Sequence, residues 1–219
     1  MLHIKCNSDT AIIVLHEIYG INQHMKEICE TLAKENVDVF CPNLLLPGQT
    51  FSLSEEAAAY SNFKQNIGFS AAQKQIDDLL LETLTDYKYR FIVGYSIGAT
   101  LAWLCSQRQG FYHGVVGFYG SRIRDYTEIN PQCPVLLFFP EKEQSFDINS
   151  LIPMLSAKEK TRIVQVDAEH GFANPWSNKY CSAVSEQTIR EAIEFIQRQR
   201  RSSARAKEST GSCEGMVKS

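Results

Sequence analysis

Short runs of β-branched and aromatic residues recur along this chain, and a longer stretch of helical periodicity separates each run from the next. Residues 11–16, 37–41, 90–95, 114–119, 134–139 and 162–167 read as strands. Residues 23–34, 71–84, 97–107, 151–158 and 185–199 read as helices. In the first of these helices Met25, Ile28, Cys29 and Leu32 recur at the spacing that lines one helical face. The run 134–139 is almost wholly apolar, as a strand covered on both faces must be. Such alternation implies an α/β fold, a mostly parallel sheet with helices on both faces. A chain of 219 residues suits one large domain, here expected over residues 1–197. That domain can bury a core without a disulfide or metal staple. From Arg198 the composition turns basic and polar (Arg200, Arg201, Ser202, Ser203, Arg205, Lys207), and residues 198–219 are expected to form a disordered tail.

Composition narrows the partners. The net charge is −3, so no nucleic-acid or acidic-membrane partner is expected. The longest apolar runs, such as 11–15 and 135–139, are too short to cross a bilayer, and the opening residues from Met1 to Cys6 do not read as a signal peptide. Seven scattered cysteines show neither metal-ligand nor redox spacing, which points to a reducing, cytoplasmic setting. No zinc spacing, phosphate-binding loop or dinucleotide fingerprint is present, so neither metal nor cofactor is expected.

The chemistry is concentrated at Gly94-Tyr95-Ser96-Ile97-Gly98. A strand ends in Phe91-Ile92-Val93 just before it, and Ala99 to Leu104 opens a helix just after. In that setting G-x-S-x-G describes a tight strand-to-helix turn that lifts a serine above the sheet. The helix N-terminus beside it offers free N–H groups and a positive dipole end to a developing oxyanion. A glycine-rich turn around a buried serine would give the same pattern, so Ser96 needs a base to count as a nucleophile.

Of five histidines, His170 is the best placed, just past the last predicted strand and before the closing helix. His16, at the end of an early strand, is the runner-up, while His3, His24 and His113 read as surface or turn residues. The acid is expected in the loop after 134–139, where Glu141, Glu143 and Asp147 compete. Glu143 is preferred by its position a few residues past the strand end. Tyr95, Tyr119, Phe172 and Trp176 are candidates to line an apolar pocket, with ordinary core packing as the competing explanation.

Taken together with Glu17-Ile18-Tyr19-Gly20 after the first central strand, Gly117-Phe118-Tyr119-Gly120 and His170-Gly171-Phe172, these residues resemble the dienelactone hydrolase family from about Ile12 to Phe195. The resemblance implies an α/β-hydrolase fold and hydrolysis of small esters or lactones by a Ser-His-acid triad. It places Glu17 beside the nucleophile, and it makes the backbone N–H groups of Ile18 and Ile97 the oxyanion hole. Two departures stand out. The family's best-known members carry cysteine where this chain has Ser96, and an arginine where it has Asn174. The missing arginine implies a less charged ester or lactone than dienelactone. Two other readings stay open: a binding or regulatory protein that kept the fold, and a thioesterase or peptidase using the same triad.

Overall fold

A computed structural model of the chain describes residues 1–143 and 145–211. Among them, seven strands form one sheet: β1 (Leu2–Ile4), β2 (Thr10–Leu15), β3 (Asp38–Cys41), β4 (Tyr89–Tyr95), β5 (Gly114–Phe118), β6 (Val135–Lys142) and β7 (Thr161–Glu169). Their order is β1-β3-β2-β4-β5-β6-β7. Every neighbouring pair is parallel except the edge pair β1–β3. The α/β architecture expected from the alternation is therefore present. β1 escaped the sequence pattern because three residues are too few to show a period.

Strand pleating divides the core in two, since successive side chains point to opposite faces. Ala11, Ile13 and Leu15 of β2 join a cluster that also holds residues of α3 (Gly68–Leu79), α4 (Ile97–Cys105) and α5 (Ile148–Ser156). Ile12 and Val14 face the other way, toward Met25, Cys29 and Leu32 of α1 (Gln23–Ala33) and Ala192, Phe195 and Ile196 of α6 (Ser182–Gly211). Burying a side chain such as Met25 or Leu32 contributes roughly 1.5–3 kcal/mol. The acidic, alanine-rich stretch forms α2 (Glu56–Asn62), which continues as a π-helical turn over Phe63–Ile67. The predicted helix 71–84 is α3 followed by a second π-helical turn at Leu80–Leu84.

α6 runs on past the expected boundary at residue 197. It runs 30 residues to Gly211, so the stretch 198–211 is helical rather than disordered. The physical reason is local: Arg, Gln, Ala, Lys and Glu are strong helix formers, and a helix already nucleated by packing extends at little cost. Arg200 Nη2 also reaches Asp9 Oδ1 at 3.0 Å, and Ala204 packs against the core. Residues 212–219 of the expected tail lie outside the described residues.

β2 sends its chain outward to β3, whereas the next strand, β4, lies on the opposite side of β2. The carboxyl ends of β2 and β4 thus flank a topological switch point, the place where parallel sheets open a crevice. Among the described residues no helix is long and apolar enough to cross a membrane.

Candidate active site

Ser96 stands at that switch point, between the last residue of β4 and the first of α4. Its backbone adopts φ +53° and ψ −113°, an unfavourable conformation for a residue with a side chain, typically costing about 1–3 kcal/mol. The turn is held by close backbone approach. A Cβ on Gly94 would stand 2.1 Å from Gly98 O, and one on Gly98 would stand 2.2 Å from Leu15 O. Glycine at both positions is therefore a steric requirement. Ser96 O accepts from Ala99 N and Thr100 N at 3.1 and 3.2 Å, which starts the helix. Ile97 is the first helical residue, so its N–H has no partner within the helix.

His170 follows β7 directly, and Gly171 at φ +91° turns the chain behind it. Its Nε2 lies 3.2 Å from Ser96 Oγ, and its Nδ1 lies 2.8 Å from Glu143 Oε2. Glu143 follows β6, and its other oxygen accepts from Ser145 N at 3.1 Å and Ser145 Oγ at 2.7 Å. Burial pushes the Glu143 carboxyl up, but the hydrogen bond and charge of His170 and the two bonds from Ser145 outweigh it and bring the value down to about 2. Of the three competing acids, Glu143 is the one in contact with the ring. Asp147 instead caps α5, accepting from Asn149 N at 3.0 Å, and Glu141 is exposed at the end of β6.

Glu17 is buried behind this row. Tyr119 Oη donates to its Oε1 at 3.0 Å, and Asn174 Nδ2 donates to its Oε2 at 3.0 Å. His24 Nδ1 stands 3.8 Å from Oε2, beyond hydrogen-bond reach. Burial raises the Glu17 carboxyl, yet the opposing pull of His24, Tyr119 and His170 leaves it below the ordinary carboxylate value. His24, expected at the surface, is in fact buried, because α1 turns that residue inward against Tyr95. His16 is also buried: Leu44 N–H donates to its Nε2 at 2.8 Å, so its Nδ1–H donates to Glu17 O at 2.5 Å. Burial drives His16 down to about 4 despite Glu17, and both ring nitrogens are taken. It fixes the loop after β2 and has no free nitrogen to serve as the base.

A cleft of about 690 Å³ opens above Ser96, a volume suited to a small-molecule ligand. Ile18 and Ile97 line it beside Ser96 and His170. Of the four aromatic candidates only Trp176 reaches it, at 48% exposure. Tyr95, Tyr119 and Phe172 are fully buried around Phe118 in the core: the Tyr95 ring stacks on it, the Tyr119 ring meets it edge-on and the Phe172 ring lies tilted against it. These three assignments are corrected: residues at strand ends and tight turns point inward as readily as outward, and sequence does not say which. The cleft's other walls went unread. Tyr19, Leu53 and Tyr60 come from the loop after β2 and from around α2, and Arg122 and Arg124 from a short 3₁₀ turn after β5. The charged run Ser121–Asp125 just past a strand's carboxyl end was the available signal. The arginines are partly committed, Arg122 to Asp125 Oδ2 at 2.7 Å and Arg124 to Ser121 O at 2.7 Å. Among the described residues no cluster has the makings of a metal site.

Comparison with known proteins bears on the same region. A model of the dienelactone hydrolase family matches residues 2–200. A protein of undetermined function from Bacillus subtilis, YczH, is 41% identical over 180 residues, spanning 81% of this chain and 88% of its own. Carboxymethylenebutenolidase of Pseudomonas putida is 22% identical, with 84% of each chain covered. The crystal structure of a putative dienelactone hydrolase from Klebsiella pneumoniae superposes with a TM-score of 0.72 at 17% identity, covering 85% of this chain and 86% of that one. At that identity the superposition speaks for the fold, which is the α/β-hydrolase fold.

Proposed function

This chain belongs to the dienelactone hydrolase family, and from that premise we propose that it hydrolyses small carboxylic esters or lactones through an acyl-enzyme on Ser96. The observation that carries this reading is the continuous row Ser96 Oγ–His170 Nε2 (3.2 Å) and His170 Nδ1–Glu143 Oε2 (2.8 Å) on a strained turn facing the cleft. Ser96 Oγ attacks the substrate carbonyl while His170 Nε2 takes its proton. Glu143 keeps Nδ1 protonated, so Nε2 is free to accept, and it stabilises the imidazolium that forms. The N–H groups of Ile18 and Ile97 face the oxyanion; a donor of this kind contributes roughly 10²–10³ in rate. The alcohol leaves with the proton from Nε2, and a water, deprotonated by the same nitrogen, releases the acid.

Short p-nitrophenyl esters test the proposal directly. Ser96→Ala is expected to lower turnover by at least roughly 10⁴-fold while leaving the fold intact by circular dichroism. A fluorophosphonate probe is expected to add its mass to the peptide carrying Ser96 and to spare the alanine variant. Turnover retained in Ser96→Ala overturns the nucleophile assignment. Silence of wild type toward both probe and esters would instead favour a binding protein that kept the fold. Thioesters pass through the same steps, and a substrate panel orders the leaving groups.

A further inference from the structure

The charged groups bordering the cleft are paired, with one exception. Glu17 is held by Tyr119 and Asn174, and Glu143 by His170 and Ser145. Arg122 is paired with Asp125 at 2.7 Å and Lys179 with Glu169 at 3.8 Å. Arg124 donates to Ser121 O, and its guanidinium lies 4.9 Å from the centroid of the Phe146 ring. Glu56 is the exception. It lines the cleft, yet among the described residues its carboxylate has neither a hydrogen bond nor an ion pair. Nor is it needed at the start of α2, because Glu55, one residue earlier, accepts from Ser52 N at 2.8 Å and from Ser52 Oγ at 2.7 Å. Aromatic faces stand unused in the same cleft. Tyr60 comes one helical turn after Glu56, so the two share a face of α2. Tyr19 joins them from the loop after β2, and Phe51 N donates to its carbonyl at 3.0 Å, which ties that loop to the segment entering α2. Burial, with the charges of Glu56 and Glu17, raises the Tyr19 phenol, so the ring stays neutral beside the carboxylate. Among the described residues neither tyrosine has a cation or another ring stacked against it.

We propose that Glu56, Tyr19 and Tyr60 form a cation-recognising corner of the cleft, and that the ester this enzyme favours carries an ammonium group. A carboxylate beside aromatic rings is the combination that holds such a group. The carboxylate supplies the opposite charge, and the negative face of each ring attracts the cation while covering its methyl or methylene carbons. The corner lies close to the chemistry, because Tyr19 directly follows Ile18, whose N–H serves the oxyanion in the proposed reaction. Ser96 and Glu56 line one and the same cleft, so a single small substrate can offer its carbonyl to the first and its cation to the second. The basic side chains do not cancel this attraction. Arg122 and Arg124 come from the turn after β5, whereas β2, which delivers Tyr19, lies on the other side of β4 from β5. Each of the three cations also has its own partner, and Glu56 has none.

The inference rests on the reading of Ser96 as the nucleophile of an esterase, and the experiment keeps the two apart. Acetylcholine and 3,3-dimethylbutyl acetate share one shape and differ by a single charge in the alcohol. Betaine ethyl ester and ethyl 3,3-dimethylbutanoate differ in the same way in the acyl half. For each pair the ratio of kcat/KM, cationic over neutral, is compared between wild type and Glu56→Gln, so that intrinsic reactivities cancel. The ratio is expected to fall roughly three- to tenfold in at least one pair, and the pair affected identifies the half of the substrate that carries the cation. The fall should shrink at high salt. Tyr60→Leu, which keeps bulk and removes a ring, should lower the same ratio roughly two- to threefold. Glu55→Gln removes an equal charge at a residue that does not line the cleft, where glutamine still caps, and the ratio should hold. Ratios unmoved by Glu56→Gln in both pairs, or moved equally by Glu55→Gln, overturn the corner. Where Ser96→Ala abolishes a turnover that shows no charge preference, the esterase reading stands and the corner falls. Should wild type hydrolyse none of the four esters, phenyltrimethylammonium is titrated calorimetrically into wild type and Glu56→Gln. A Kd that rises roughly three- to tenfold in the variant then keeps the corner while the esterase reading falls, and a Kd that is unchanged, or binding that is absent, overturns the corner as well.

Discussion

The floor and the walls of the cleft are built on different principles. The floor is made of strand ends: Ser96 after β4, Glu143 after β6, His170 after β7 and Glu17 just beyond β2. Each is within a few residues of a hydrogen-bonded ladder, and each is held by contacts at 3.2 Å or less. The walls are loop and short-helix residues: Tyr60 of α2, the turn Ser121–Asp125, and Trp176 in the loop before α6. Several of them are half exposed, with Trp176 at 48% and Tyr60 at 42%. A parallel sheet dictates where strand ends lie, so the floor inherits rigidity from the backbone. The walls inherit only proximity. Changes in the floor should therefore act on kcat and on folding, and changes in the walls on KM and selectivity.

The sharpest break with that division would come from Glu143→Gln. The two Ser145 donors claim the amide oxygen and leave its NH2 facing Nδ1, which must then accept, so the proton moves to Nε2 and kcat is expected to fall roughly 10³- to 10⁴-fold with KM little changed. The same residue sets an acid limit on stability. Its carboxyl is near 4.5 ordinarily and about 2 in the fold, because the pull of His170 and Ser145 outweighs its burial. A depressed value adds stability above about pH 4.5, which is lost as the pH falls toward 2. Acid-unfolding curves of the glutamine variant should be flatter across that window. A fall in kcat below tenfold would mean that the row of hydrogen bonds does not govern turnover.

What the sequence disclosed follows the same line between floor and walls. Ser96, His170 and Glu143 could be named because each choice is fixed by backbone demands: glycines flanking a tight turn, and loop residues just past strands with a strong apolar signature. Asp147 was a rival to Glu143 only until α5 began at Ile148, where the aspartate is consumed as a helix cap. Tyr95, Tyr119 and Phe172 were misassigned because aromatic residues at strand ends serve the core and a pocket equally well in sequence. Tyr119 proved to matter through its hydroxyl, a contact with Glu17 across 102 positions that no local pattern encodes. The helical extension to Gly211 was hidden for the opposite reason: its residues lack an apolar stripe but are good helix formers.

A smaller effect, still on the floor, is expected from Gly98→Ala. The new Cβ would meet Leu15 O at 2.2 Å and His16 O at 2.8 Å, all backbone, so β2 and α4 must part. Overpacking of this kind costs about 3 kcal/mol, which for a domain of this size lowers Tm by roughly 6–12 °C. Calorimetry would read it. The shift should come with a loss of turnover in the protein that remains folded, because Leu15 leads into the loop bearing Glu17 and Ile18. A variant as stable and as active as wild type would mean that the elbow does not depend on this close approach.

The walls should respond most weakly, and there the structure turns the sequence argument around. Asn174 stands where a carboxylate-binding arginine was expected, which favoured uncharged substrates. Arg122 and Arg124 nevertheless line the cleft from the turn after β5, and Lys179 lines it from the segment leading into α6. Asp125 neutralises part of that charge, through Arg122 at 2.7 Å and Arg124 at 4.0 Å, and these guanidiniums, partly exposed at the cleft, are screened by solvent. A modest preference is the consequence. Arg124→Gln is expected to raise KM roughly three- to tenfold for an ester whose acyl chain ends in a carboxylate, with kcat unchanged and a neutral p-nitrophenyl ester unaffected. Trp176→Ala should do the reverse, weakening the neutral aromatic ester and sparing the charged one. The ratio of kcat/KM for the two esters, measured at low and at high salt, isolates the effect: the arginine contribution fades as salt rises, whereas the tryptophan contribution does not. If both variants shift both esters alike, the walls do not discriminate charge and only the size of the cleft selects the substrate.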